Sequence, residues 1–183
     1  MIEARSSPLL RILAFAPVVL ALPGGVAAQQ TGDRQAPGWY SGHVSLLAGV
    51  SVFDRSAEGT TGIYAFRVDM PLWPNILLEG GLSYARPNQD PGVDDVFLPG
   101  LQVHLQGTAA HLRPYAGLGA GVAVERPSDG GSSDVYFSPS FSAGMRIVLS
   151  EGAGLRFEGR LNAVGADFLG YYSELVGGLS ITW

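Results

Sequence analysis

The chain has 183 residues with 26 Gly, no Cys and 15% charged residues, and its net charge of -5 sets 16 acids against 11 basic residues, all of them Arg. Without Cys it can hold neither a disulfide nor a Cys-ligated metal, and an acidic chain with no basic run is a poor partner for nucleic acid. Gly is about twice its usual ~7% and charge is well below the usual ~25%, which suits a single domain that lies in a membrane or buries nearly all of itself.

Residues 1–28 have the three-part layout of a secretory signal peptide: Arg5 and Arg11 lead into the apolar run 12–22, then come Pro23-Gly24-Gly25 and the small residues Ala27 and Ala28. Eleven apolar residues are too few for a membrane anchor, since spanning takes ~20. Cleavage is expected after Ala28, leaving 155 of the 183 residues and a net charge of -6, because Arg5, Arg11 and Glu3 are removed. A linker is expected over 29–38 and one domain over 39–183, with export out of the cytoplasm.

That domain alternates with a period of two. In 39–53, Tyr40, Val44, Leu46, Ala48, Val50 and Val52 share one side, and His43, Ser45 and Ser51 the other. In 62–70, Tyr64, Phe66, Val68 and Met70 oppose Arg67 and Asp69; in 76–86, Leu78, Leu82 and Tyr84 oppose Glu79 and Ser83. The pattern returns in 96–106, with Leu101, Val103 and Leu105 against Gln102, His104 and Gln106, and in 113–125, with Leu118, Ala120 and Val122 against Tyr115 and three glycines. It continues in 135–148 (Phe137, Phe141, Met145 against Ser138, Ser142, Arg146) and 154–164 (Leu155, Phe157, Leu161 against Arg156, Glu158, Arg160). The last segment, 171–183, sets Leu175, Leu179, Ile181 and Trp183 against Glu174, Ser180 and Thr182. Eight segments of this kind predict an all-β, eight-stranded antiparallel up-and-down barrel that crosses a membrane.

The connections alternate too. Segments 71–75, 107–112 and 149–153 are short and low in charge, whereas 54–61, 87–95, 126–133 and 165–170 are mostly longer and rich in Gly, Pro, Ser and Asp. Short periplasmic turns and longer external loops are expected of an outer-membrane barrel. On that assignment Trp39, Trp73 and Trp183 form a periplasmic aromatic rim, and Phe53, Tyr84, Phe97, Phe137 and Tyr171 lie near the external rim.

A soluble lipocalin-like barrel would turn the same faces the other way. The polar face here holds Gly, Ser and a few charges rather than the charge-rich surface of a soluble barrel. The run Arg113-Pro114-Tyr115-Ala116-Gly117-Leu118-Gly119-Ala120-Gly121-Val122, the strand Gly154-Leu155-Arg156-Phe157-Glu158-Gly159-Arg160 and the terminal Trp183 resemble the small outer-membrane β-barrel family typified by the OmpA and OmpX barrel domains. The resemblance covers residues 39–183. It implies the cell outer membrane, outer-membrane lipids and lipopolysaccharide as surroundings, and recognition by the barrel-assembly machinery through Leu175, Leu179, Ile181 and Trp183. A monomer is expected. No OmpA-like peptidoglycan-binding domain follows Trp183, so no cell-wall tether is expected.

With apolar faces outward, the lumen receives Arg67, Arg146, Arg156 and Arg160 together with Asp69, Glu79, Glu158 and Glu174, four of each sign. Buried charges must pair, and eight strands leave room only for side chains, so a plugged lumen is expected. A turn symmetric about Trp73 would place Arg67 opposite Glu79, and a turn around Asp167 would bring Arg160 to Glu174. No cofactor and no metal are expected, because His104 and His111 lack ligand spacing. Gly117-x-Gly119-x-Gly121 is no phosphate loop, since no helix follows; these glycines are expected to make room for Tyr115 and the arginines.

His43 and Ser45 share a face with Glu174, which suggests a Ser/His/acid hydrolase. A lipid-modifying enzyme, however, needs its nucleophile at the bilayer, and the parity points both residues inward. The loop segments carry Asp54, Glu58, Asp90, Asp94, Asp95, Asp129, Asp134 and Asp167 against Arg55 and Arg126. Such an acidic rim could share divalent cations with lipopolysaccharide phosphates. The expected function is non-enzymatic: membrane integrity, or surface interaction through the loops. A carrier or channel for small solutes and a lipid A-modifying enzyme are the alternatives.

Overall fold

The computed structural model describes residues 41–54, 59–87, 93–107, 111–127, 130–165 and 170–183. The expected signal peptide, the linker and Trp39 lie outside them. The strands are β1 (His43–Asp54), β2 (Gly59–Trp73), β3 (Ile76–Ala85), β4 (Val93–Gln106), β5 (Leu112–Pro127), β6 (Asp134–Val148), β7 (Ala153–Val164) and β8 (Gly170–Thr182). Each pairs antiparallel with its neighbours in sequence, and β1 also pairs with β8, so the sheet closes into one barrel.

Several strands exceed the expected length, reaching 16 residues in β5. β2 begins at Gly59, inside a segment read as loop, and runs through Pro71 to Trp73, read as turn. Thr60, Thr61 and Trp73 favour extended backbone beside a partner strand, and the strand's run to Trp73 leaves only Pro74 and Asn75 for the turn.

The register fixes the tilt of the strands. Following cross-strand partners from His43 through Asp69, Glu79, Gln102, Gly119, Ser140, Asn162 and Tyr172 returns to β1 at Phe53, ten residues beyond the start. With ~3.3 Å per residue and ~4.8 Å between strands, that stagger over eight strands gives a tilt of about 40°, within the range of transmembrane barrels.

Closure sorts the two faces. Leu46, Leu118 and Leu179 are 67%, 69% and 64% exposed, and Tyr64, Leu101, Leu105, Phe137 and Leu175 share this outer surface. A band of exposed aliphatic and aromatic side chains is an expensive surface in water and a suitable one in hydrocarbon. Trp73 and Trp183 are exposed at the end that carries the turns and the last strand's terminus. Tyr84 and Phe97 face each other across β3 and β4, ring centroids 5.1 Å apart.

Phe53 does not belong to the outer aromatic rim. It shares the parity of Ser51 on β1, faces inward, and packs with Val96, Leu98, Ala123, Val164 and Tyr172 in an apolar cluster at the loop end of the lumen. Position near a strand end suggested the rim, but parity decides the face. A second inward cluster, Leu47, Ile63, Ala65, Ala85 and Val176, lies on β1, β2, β3 and β8.

The outer band makes a direct test. Leu118→Arg is expected to destabilise the barrel in lipid vesicles by ~2–4 kcal/mol, read from urea titration of the heat-modifiable folded band on a gel. A soluble barrel with Leu118 in water would show almost no change.

Candidate functional site in the barrel lumen

The inward polar residues of β2, β3, β7 and β8 meet in one ionic network. Arg156, fully buried, donates through Nε to the Tyr115 hydroxyl at 2.8 Å, through Nη1 to Asp69 Oδ2 at 3.0 Å, and through Nη2 to both Glu79 and Glu158. Arg160 donates to Glu158 Oε1 at 3.1 Å and to Glu79. Arg67 reaches Ser83 at 2.8 Å and Glu174 Oε2 at 3.0 Å, while Asn162 donates to Glu174 Oε1 at 2.7 Å. Arg146 touches Asp69 Oδ2 at 2.6 Å and donates to Gln106 at 2.7 Å. Each carboxylate thus has at least one guanidinium, the arrangement that offsets the desolvation of buried charge.

The expected pairings differ in detail. Arg67 faces Gly81, and Glu79 faces Asp69, because the β2–β3 turn is centred on Pro74 and Asn75 and carries a register shift between Pro71 and Trp73. Its Nε still comes within 3.6 Å of Glu79. Arg160 does face Glu174 across the β7–β8 ladder, but its guanidinium goes to Glu79 and Glu158 instead. In a bore this narrow, long side chains reach across the lumen as readily as along the wall.

Large inward groups lie opposite glycines. Arg67 faces Gly81, His104 faces Gly117, Gln102 faces Gly119, Tyr115 faces Gly144 and Arg156 faces Gly178. A Cβ at Gly117 would run into the His104 ring, and one at Gly144 into the Tyr115 hydroxyl. The glycines of β5 therefore seat His104 and Gln102, and Gly121 lies against the backbone at Pro99; Tyr115 and the arginines find their space elsewhere.

Sequence spacing missed three groups. Asp69, Glu79 and His104 come from three strands, and each offers a possible metal-ligating atom within 4.8 Å of the others. His104 Nε2 lies 2.9 Å from Gln102 Oε1, and its Nδ1 is 3.7 Å from both carboxylates. Those carboxylates already face Arg146 and Arg156, so a dication would add uncompensated positive charge to a desolvated lumen. The donors fit a polar network better than a metal. Glu125 is a second omission: buried at the loop end, it accepts from the Tyr172 hydroxyl at 2.9 Å. Arg113, at the other end of β5, is the third.

The hydrolase constellation does not assemble. Ser45 donates to Ser180 at 3.0 Å, and His43 pairs with Thr182 at 3.2 Å. Glu174 faces Ser51, six residues along β1 from Ser45, a separation of roughly 20 Å at ~3.3 Å per residue.

Comparison with solved structures places this architecture. It is similar to Neisserial surface protein A, with a TM-score of 0.68 and 14% identity over 78% of this chain and 97% of that one. It is also similar to Ail, the attachment invasion locus protein of Yersinia pestis (TM-score 0.57, 10% identity, 79% and 99% of the two chains). A third likeness is to the outer membrane protein OprG from Pseudomonas aeruginosa (0.54, 14%, 82% and 99%). The fold is that of the outer-membrane β-barrels. No family model and no curated protein matches the chain. Another Ail structure holds the heparin analogue sucrose octasulfate.

Removing Arg156 would leave Asp69, Glu79 and Glu158 short of counter-charge. Arg156→Met is expected to cost ~3–5 kcal/mol, measured as a lower urea midpoint of the folded band. Gly117→Ala is expected to cost ~1–3 kcal/mol by overpacking against His104, whereas Gly62→Ala, where a Cβ meets open space, should leave the midpoint within experimental error.

Proposed function

We propose that this protein is a non-enzymatic barrel of the outer membrane with a lumen closed to steady solute flow, and that it acts through its wall and its loop end, in membrane integrity or surface interaction. The observation that carries this reading is the filling of the bore. Arg67, Asp69, Glu79, Arg156 and Glu158 are all buried and linked by hydrogen bonds, His104 is buried beside them on Gln102, and the cluster around Phe53 and Tyr172 lies beyond them toward the loops. Ions would have to break several charge-assisted hydrogen bonds to pass, each stronger than a neutral one. The apolar interior is packed side chain against side chain, which leaves a hydrophobic solute little to displace.

The turn end, with Trp73 and Trp183, faces the periplasm on this reading, and the loops face outward. The loop segments are acidic, and Glu125 adds an inward acid at the same end. A polysulfated ligand of the kind held by Ail would meet charge of its own sign here. Partners at this surface are basic, or are anionic groups bridged by a divalent cation.

Purified protein in a planar bilayer tests the closed lumen. The expected trace has no large, steady conductance at moderate voltage; persistent open-channel current from folded, heat-modifiable protein would overturn the reading.

A further inference from the structure

The turn end of the lumen carries positive charge that the central network does not balance. Arg113, Arg146 and Arg156 are direct cross-strand neighbours on β5, β6 and β7. Like charges facing each other across a ladder repel, so three guanidiniums in a row call for counter-charge. Arg156 has Asp69, Glu79 and Glu158. Arg146 shares Asp69 with it, and the Arg146 Nε, on a side chain only 4% exposed, makes no hydrogen bond among the described residues. Arg113 meets no carboxylate within ion-pair distance among the described residues.

Both arginines line one pocket at this mouth, together with His43, Ser180, Thr182 and Glu151. Glu151 is the acid among the lining residues; it is exposed on the β6–β7 turn and forms no ion pair with either arginine. Ser180 accepts the Ser45 hydroxyl at 3.0 Å and keeps its own proton free to donate. The pocket therefore offers the Arg113 guanidinium, which meets no carboxylate among the described residues, beside Arg146, which shares Asp69 with Arg156, and the Ser180 hydroxyl. The excess of acid lies at the opposite end, with Glu125 and the loops. Exposed Trp73 and Trp183 put this mouth at the level of a membrane interface, where phosphate groups are the commonest anions.

We propose that the turn-end mouth binds a phosphate group, free or in a lipid headgroup, between Arg113 and Arg146. Arg is suited to this because its planar fork matches a phosphate's oxygens. The site is independent of whatever the loop end contacts.

Calorimetric titration of inorganic phosphate into the folded full chain in dodecyl maltoside, whose headgroup is uncharged, tests it. Saturable binding is expected, weakened at least about ten-fold in Arg113→Gln, partly retained in Arg113→Lys, and unchanged in Arg126→Gln at the loop end. Arg113 forms no ion pair among the described residues, so heat-modifiable migration should be intact in these variants. No saturable binding by the native chain, or equal affinity in Arg113→Gln, overturns the proposal. In phospholipid nanodiscs, a lost phosphate response with an Arg113-dependent lipid 31P shift assigns the site to a headgroup; an unchanged affinity assigns it to a soluble anion. Both outcomes support the site.

Discussion

A sheet of eight strands staggered by ten residues must close around a bore that only side chains can fill, and this chain fills much of it with charge. Four guanidiniums and four carboxylates are removed from water near the middle of the lumen, at a desolvation cost of several kcal/mol per ion. They are tolerable only as a set. Arg156 contacts three carboxylates and the Tyr115 hydroxyl at once, so the relative positions of β2, β3, β5 and β7 are tied through one side chain. A slip of one residue in any of these strands would turn its charges toward hydrocarbon and its leucines toward the network. The ionic lumen and the apolar belt specify the same register from opposite sides.

Glycine makes that network possible. An arginine, histidine, glutamine or tyrosine pointing into a bore this narrow lies over the neighbouring strand, and in five cases the residue opposite it is Gly. Such glycines weaken a strand by roughly 0.5–1 kcal/mol relative to Ala, a loss offset by the hydrogen bonds of the group they admit. The high Gly content is thus tied to the bulk of the lumen side chains: of its eight charges Arg67, Arg156 and Glu158 face a glycine, as do His104, Gln102 and Tyr115.

The strands and their faces were legible because alternation with period two is a local property, visible within any ten residues. What escaped reading depends on which residues meet between strands. Arg67 and Glu79 are not directly opposite because a tight turn at Pro74-Asn75 and an adjacent register shift moved the facing position by two residues, although the two side chains still come within 3.6 Å. The meeting of Asp69, Glu79 and His104 has no sequence spacing to find, since each comes from a different strand. Phe53 was misplaced for another reason: aromatic residues at strand ends suggest a bilayer interface, yet its parity with Ser51 already marked it as inward. Glu125 was readable by the same parity argument, from Tyr115 along β5.

Adding Arg113 and Glu125 to the lumen keeps its total charge balanced and changes its distribution. Both lie on β5 with the same parity, Arg113 at the turn end and Glu125 at the loop end. Glu125 is engaged by Tyr172 under an apolar cluster that separates the central network from the loops. Arg113 has no such cover, and the charge row it heads runs without interruption through Arg146 to Arg156. The two mouths of the barrel are therefore chemically unlike: one lined by Phe53, Val96, Leu98 and Tyr172 with Glu125 among them, the other opening onto a guanidinium. A field oriented in this way draws anions to the turn end and cations to the loop end. Between the two mouths lies the ionic network, so the opposed charges of β5 are separated by buried, hydrogen-bonded side chains.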